Sequence, residues 1–211
     1  MTGVGYIIKS DDCVRRGAAW LTDTDDVMAR AYELTGPLPL RLKPDGFAEL
    51  LSAIVSQQVS VASARAIWGR MVAAGMDEPA NIETASDEDL RAIGLSRQKV
   101  KYTRALAQAG IDFDALRDAP DAQIIKTLTA VSGIGVWTAE IYAMFSLGRA
   151  DVFPSGDLAL QEAAKHLYGL PERPKDRALR QMAEKWSPWR SVAARMLFAY
   201  YHVAKQREGI R

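Results

Sequence analysis

The residues with the clearest chemical meaning lie between positions 128 and 157. The stretch LTAVSGIGVWTAEIYAMF (128–145) runs an apolar helix end into Ser132-Gly133-Ile134-Gly135 and directly into a second amphipathic helix. Gly133 and Gly135 carry no Cβ, so the backbone there can take positive φ and approach another molecule closely. The helix that follows begins with amides that have no intrahelical partner, and its dipole adds to them, so this turn suits a phosphate even without positive net charge. Taken alone, Gly-X-Gly between helices equally describes a glycine-terminated turn with no ligand. Downstream stand Trp137-Thr138-Ala139 and then DVFPSGD (151–157), which ends on a carboxylate where a loop leads into a helix. Asp157 at such a place either caps the helix or faces a centre that develops positive charge during a reaction.

Helices must position these residues. Phe47, Leu50, Leu51, Ile54 and Val55 follow an i, i+3, i+4, i+7, i+8 stripe, and Val192, Met196, Ala199 and Val203 repeat at one turn. No segment alternates as a strand does. Glycine and proline breaks at 36–39, 75–79, 94, 110, 120, 133–135, 154–156 and 169–174 cut the chain into about ten helices. Ser86 with Asp89 predicts a capping box, Ser96 a helix start, and Ser187-Pro188 a proline in a first helical turn. The expectation is an all-α fold of two helical subdomains flanking a cleft. Residues 42–150 form the bundle that carries the hairpin, and residues 1–41 with 151–211 form a second, discontinuous subdomain. No fixed-period repeat suggests a solenoid.

Composition bounds the rest. The chain has 211 residues, 48% hydrophobic and 25% charged, which describes an ordinary globular protein. One cysteine, Cys13, excludes an internal disulfide, a cysteine zinc site and an iron-sulfur cluster, and favours a reducing, cytoplasmic setting. No apolar run reaches the length of a membrane span. Net charge is only +1, but residues 173–211 hold ten Lys/Arg against three Asp/Glu, and Arg97, Lys99, Lys101 and Arg104 form a second basic run. These charges are either solvated helix faces or a phosphate-facing surface. His166 and His202 fit no metal-ligand spacing.

Taken together, Ile54-Val55-Ser56-Gln57-Gln58-Val59-Ser60, Gly94-Leu95-Ser96-Arg97-Gln98-Lys99, the hairpin at 131–138, residues 151–157 and Trp186-Ser187-Pro188-Trp189-Arg190 are distinctive. On these motifs the sequence resembles the helix-hairpin-helix DNA glycosylase superfamily and, within it, the 3-methyladenine DNA glycosylase II family, over residues 42–201. The resemblance implies a monofunctional enzyme of base excision repair. It flips an alkylated purine such as 3-methyladenine out of duplex DNA and hydrolyses the N-glycosidic bond, with Asp157 as the catalytic aspartate. Trp137 occupies the position where bifunctional relatives carry a nucleophilic lysine. Its indole either packs in the core or stacks on the flipped base, where a cationic alkylpurine gains cation–π attraction.

By the same resemblance Gly133, Ile134, Gly135, Trp137 and Thr138 contact DNA, and Gln58 occupies the wedge position that fills the vacated stack. Gln57 and Gln58 equally suit a hydrogen-bonding pair at a helix end. Trp137, Ile141 and Phe198 border the base. Ile141 stands where relatives often have an aromatic, which implies an altered or more open pocket. The main-chain carbonyls of Thr129, Val131 and Ile134 align with positions that hold a monovalent cation, Na+ or K+, in relatives. No organic cofactor and no membrane are implied, and a monomer is expected. Two other readings are a non-enzymatic hairpin module that grips phosphates only, and a glycosylase for oxidised or deaminated bases, which a lysine at 137 or a four-cysteine cluster would mark.

Overall fold

Helix ends, more than helix interiors, shape this chain. The computed structural model describes residues 4–207, and among them are thirteen α-helices, one 3-10 turn and no strand beyond a single bridge between Ile7 and Arg149. In chain order the helices are α1 (Asp11–Thr24), α2 (Asp26–Thr35), α3 (Phe47–Ser56), α4 (Val61–Ala73), α5 (Pro79–Thr84), α6 (Asp87–Ala92) and α7 (Arg97–Ala107). They continue with α8 (Phe113–Asp118), α9 (Asp121–Thr129), α10 (Val136–Phe145), α11 (Leu158–Tyr168), α12 (Asp176–Met182), the 3-10 turn (Ala183–Trp186) and α13 (Arg190–Arg207). The all-α expectation holds. Four of the helices have only six or seven residues, too short to show a periodic stripe, which is why the breaks suggest fewer. No helix among the described residues is long and apolar enough to cross a membrane.

The chain divides into two units, residues 43–142 and residues 1–42 with 143–211. The glycine breaks set the second exchange at 150, whereas the last turn of α10 and the loop after it belong with the discontinuous unit. Local contacts explain the shift. Arg195 is buried, donates to the carbonyls of Met144 and Ser191, and lies 4.9 Å from the centre of the Phe145 ring. Ser191 donates from its amide to Ala150 and from its hydroxyl to Arg149 and Val152.

Within the discontinuous unit, α1 packs on α2 and α13, and α13 packs on α2 and α11. Asp25 joins several of these elements. Its Oδ1 caps α2 by accepting from Val27 and Met28, while its Oδ2 accepts from Tyr168 (2.7 Å), Trp186 Nε1 (3.1 Å) and Lys185 (2.8 Å). Burial pushes this carboxyl up, but the bonds from Lys185, Tyr168 and Trp186 outweigh it and bring the pKa down to about 2. Within the 43–142 unit, α3 is the core helix: Leu50, Leu51, Ile54 and Val55 are buried, and α4 and α7 pack on it. The Ser86–Asp89 capping box forms as the sequence suggests, and Ser96 caps α7 through Lys99 N. Pro188, by contrast, lies in the turn two residues ahead of α13 and not in its first helical turn.

Removing the Asp25 carboxylate takes away a helix cap and three further bonds, so Asp25→Ala should lower unfolding free energy by about 3 kcal/mol in denaturant titrations. A depressed carboxyl stabilises the fold above its unfolded pKa of about 3.9 and loses that contribution as pH falls through the folded value. The wild-type advantage over Asp25→Ala should therefore be full at pH 6 and shrink between about pH 4 and pH 2.

Candidate active site

The hairpin forms as α9, a six-residue turn (130–135) and α10. Val131 N bonds Leu128 O and Ile134 N bonds Val131 O, both at 3.1 Å, which winds the turn tightly. The first bond of α10 runs from Ala139 N to Gly135 O at 3.0 Å, so the amides of its first turn, 136–138, precede the helical ladder. The two glycines do different work. Gly133 has φ +96, and a Cβ there would sit 2.4–2.8 Å from the Tyr102 side chain. Gly135 has no unusual φ, and a Cβ there would meet nothing within 4 Å. The first glycine is required by the protein's own packing, and the second leaves open space beside the helix start.

From Thr138 onward α10 is buried on nearly every side, with Ile141 half-buried, so it is not the amphipathic helix its sequence suggests. Its first turn is the exception. Trp137 is 45% exposed and Val136 50% exposed, an unusual placement for an indole that core packing would have covered. Trp137, Thr138, Ile141, Gly135 and Gln58 line one cavity of about 620 Å³, together with Lys43, Ser52, Ala53, Ser56 and Gln57. Five of the residues to which the resemblance gives a DNA or base contact thus meet within the 43–142 unit. The side chains of Thr138 and Ile134 are buried, which leaves chiefly their main-chain groups for an outside ligand. Tyr142, beside Ile141, points elsewhere: its hydroxyl accepts from Gly46 N at 2.7 Å, and burial pushes its pKa up to about 12, so it stays protonated.

Gln58 is exposed at the tip of the α3–α4 turn with φ +56, a left-handed conformation rare for a side chain other than glycine. Gln57 bonds Gly133 O at 3.0 Å. The two glutamines separate accordingly: one is held by the protein, and the other projects from it.

Asp157 stands in the discontinuous unit at the start of α11, half-exposed, with Oδ1 accepting from Ala159 N (2.8 Å) and Leu160 N (3.3 Å). It is an N-cap, and its location is strongly fixed. Asp151 binds Arg190 through two parallel bonds of 2.7 and 2.9 Å and accepts from Ser187 at 2.8 Å. Ser191 holds Val152 O, Gln161 donates to Ser155 O at 2.9 Å, and the Ser155 hydroxyl bonds Asp176. The motifs at 151–157 and 186–190 are therefore one packed assembly that delivers a carboxylate to a helix start. Sequence reasoning missed Asp151, Arg190 and Ser191 as positioning residues. Phe198 is half-buried on α13, which packs on α11 in the same unit, and His166 and His202 are exposed. No cluster of three potential metal-ligating side chains occurs among the described residues.

Several members of the basic runs are engaged within the protein. Lys99 is buried on Val55 O, Arg104 pairs with Asp87 and donates to two carbonyls, and Arg173, Arg180, Lys185 and Arg190 each pair with a carboxylate.

A glycine hairpin leading into a helix with an exposed first turn, in an all-α chain that also places a buttressed aspartate at a helix start, defines the helix-hairpin-helix class. Residues 51–188 match the family described as HhH-GPD superfamily base excision DNA repair protein, and the chain belongs to that family. It is 34% identical to a DNA-3-methyladenine glycosidase from Bacillus halodurans, with a TM-score of 0.81 over 96% of this chain and 94% of that one. It is 30% identical to the 3-methyladenine DNA glycosylase of Schizosaccharomyces pombe solved in complex with abasic DNA, with a TM-score of 0.75 over 87% of this chain and 95% of that one. Among curated proteins it is 29% identical to DNA-3-methyladenine glycosylase 1 of Schizosaccharomyces pombe, covering 90% of this chain and 89% of that one.

The two glycines should respond differently to the same substitution. Gly133→Ala meets both a positive φ and the Tyr102 ring and should lose about 2 kcal/mol or more. Gly135→Ala should stay within about 0.5 kcal/mol of wild type in the same thermal or denaturant melts.

Proposed function

We propose that this chain is a monofunctional DNA glycosylase that flips an alkylated purine, such as 3-methyladenine, out of duplex DNA and hydrolyses its N-glycosidic bond. The observation that carries the reading is the family match over 51–188 joined to 34% identity with a DNA-3-methyladenine glycosidase along nearly its full length. The local geometry supports it. Open space at Gly135 and the first-turn amides of α10 suit a DNA phosphate, which a helix start binds without a cationic side chain. Gln58 projects as the wedge that fills the gap left by the flipped nucleotide. The exposed indole of Trp137 offers a face on which the base stacks, and a positively charged alkylpurine gains attraction there that a normal purine does not. Ile141, smaller than an aromatic and half-buried, leaves the cavity wide. Phe198 is the aromatic contact to the base from α13.

Asp157 is the catalytic carboxylate. As the glycosidic bond breaks, its pair of electrons leaves with the base and the sugar becomes oxocarbenium-like; a fixed negative charge lowers the energy of that state. Water then adds at the sugar carbon and passes its proton to the Asp157 carboxylate, which releases it to solvent. With tryptophan at 137 in place of a lysine nucleophile, no Schiff base forms and the backbone is left uncut. The protein works as a monomer on duplex DNA.

The carbonyls of Thr129, Val131 and Ile134 suit a Na+ or K+ ion chemically, being hard and uncharged donors. Val131 O keeps a second lone pair after accepting from Ile134 N. An ion bound there would supply positive charge beside the phosphate. No side chain of the chain is needed to hold it.

The test is incubation with methylated duplex DNA, measuring free base and alkali-labile sites. Wild type should release alkylated purine and leave strands intact until alkali is added. Asp157→Asn should be slower by roughly a hundredfold or more. Release of nothing by wild type would reject the enzyme, and an undiminished Asn variant would reject the residue.

A further inference from the structure

A side-chain bond joins the α3–α4 turn to the hairpin. Gln57 Nε2 donates to Gly133 O at 3.0 Å, across 76 residues of sequence. The neighbouring Gln58 is exposed at φ +56, and a strained conformation of this kind persists only where its surroundings over-determine it. Two contacts do so. Lys99, only 9% exposed, donates from Nζ to Val55 O at 2.5 Å and satisfies one of the carbonyls left open at the end of α3. Burial holds the Lys99 ammonium below its ordinary pKa. The second contact is the Gln57 amide, which fastens the residue just before Gln58 to the backbone of the glycine turn. That turn is itself set by Tyr102, whose ring lies against Gly133.

We propose that Gln57 is a positioning residue that registers the Gln58 wedge against the phosphate-gripping turn. Entry into the stack and grip on the backbone then occur in a single geometry. This inference rests on the glycosylase reading and deepens it. Gln57 acts on the flipping equilibrium and not on bond cleavage, so its loss matters only where a paired, stacked nucleotide must be opened. Where the lesion has no pairing partner, most of that work is already done.

The experiment compares single-turnover release of 7-methylguanine from two duplexes, one with the lesion opposite cytosine and one with it opposite a tetrahydrofuran abasic analogue. Gln57→Ala should slow release from the paired duplex on the order of tenfold, the kinetic equivalent of one hydrogen bond. On the unpaired duplex it should stay within about threefold of wild type. Gln57→Glu has the same length but presents a carboxylate to the Gly133 carbonyl, and should reproduce the pattern. A 2-aminopurine placed beside the lesion should show a smaller fluorescence rise on binding with either variant. Equal losses on both duplexes, or no loss on either, would overturn the positioning role while leaving the glycosylase standing. A wild type inactive on both duplexes would overturn the glycosylase reading and this inference with it. Should the Ala variant melt below the assay temperature, Gln57→Met, which keeps the shape and removes the donor, decides between the same outcomes.

Discussion

A chain built from many short helices exposes many helix ends, and every end carries amides or carbonyls that its own helix cannot satisfy. Meeting that demand with side chains is the constraint on which this structure depends. Asp25 does it for α2 while binding Tyr168, Trp186 and Lys185; Lys99 does it for α3; Arg195 accepts the task at the end of α10. Because each of these groups is polar and partly or wholly buried, a lost partner would leave a desolvated dipole or charge, so the ends are fixed in place as firmly as the apolar core.

The same constraint shapes the two helix starts to which a function is proposed. At α10 the turn of 130–135 packs its first glycine against Tyr102 and leaves open space at its second, beside the first-turn amides proposed to receive a phosphate. At α11 the donors are met by Asp157, which couples a structural duty to the proposed chemical one. A carboxylate already oriented by two amides, in a loop clamped by Asp151, Arg190 and Ser191, needs little reorganisation when positive charge develops nearby. The α3–α4 turn follows the same logic, since Lys99 and Gln57 hold the residues on which the strained Gln58 is carried.

Much of this was legible in the sequence because it is local. The stripe of α3, the Ser86–Asp89 box, the glycine turn and the aspartate at 157 depend on residues within a few positions of one another, and each appears where spacing and residue type put it. The remainder depends on contacts remote in sequence. Lys99 and Arg104 read as surface charge until their carbonyl acceptors, 44 and 22 residues away for Val55 and Ile82, are known. Residues 143–150 look like the tail of the hairpin bundle, and it takes contacts remote in sequence, from Arg195, Ser191 and the Tyr6–Ile8 backbone, to draw them into the other unit. Periodicity reports nothing for six-residue helices, and it overstated the amphipathic character of α10, whose polar Thr138 and Glu140 are both buried.

The central claim is that the Asp157 charge is complementary to a cationic sugar and is more than a helix cap. Affinity for duplexes carrying a cationic pyrrolidine abasic analogue, set against the neutral tetrahydrofuran analogue, measures that complementarity without turnover. Wild type should bind the cationic analogue more tightly, by on the order of tenfold, and Asp157→Asn should bind the two alike. An equal preference in both proteins would contradict the account, because the selectivity for positive charge would then come from elsewhere in the site.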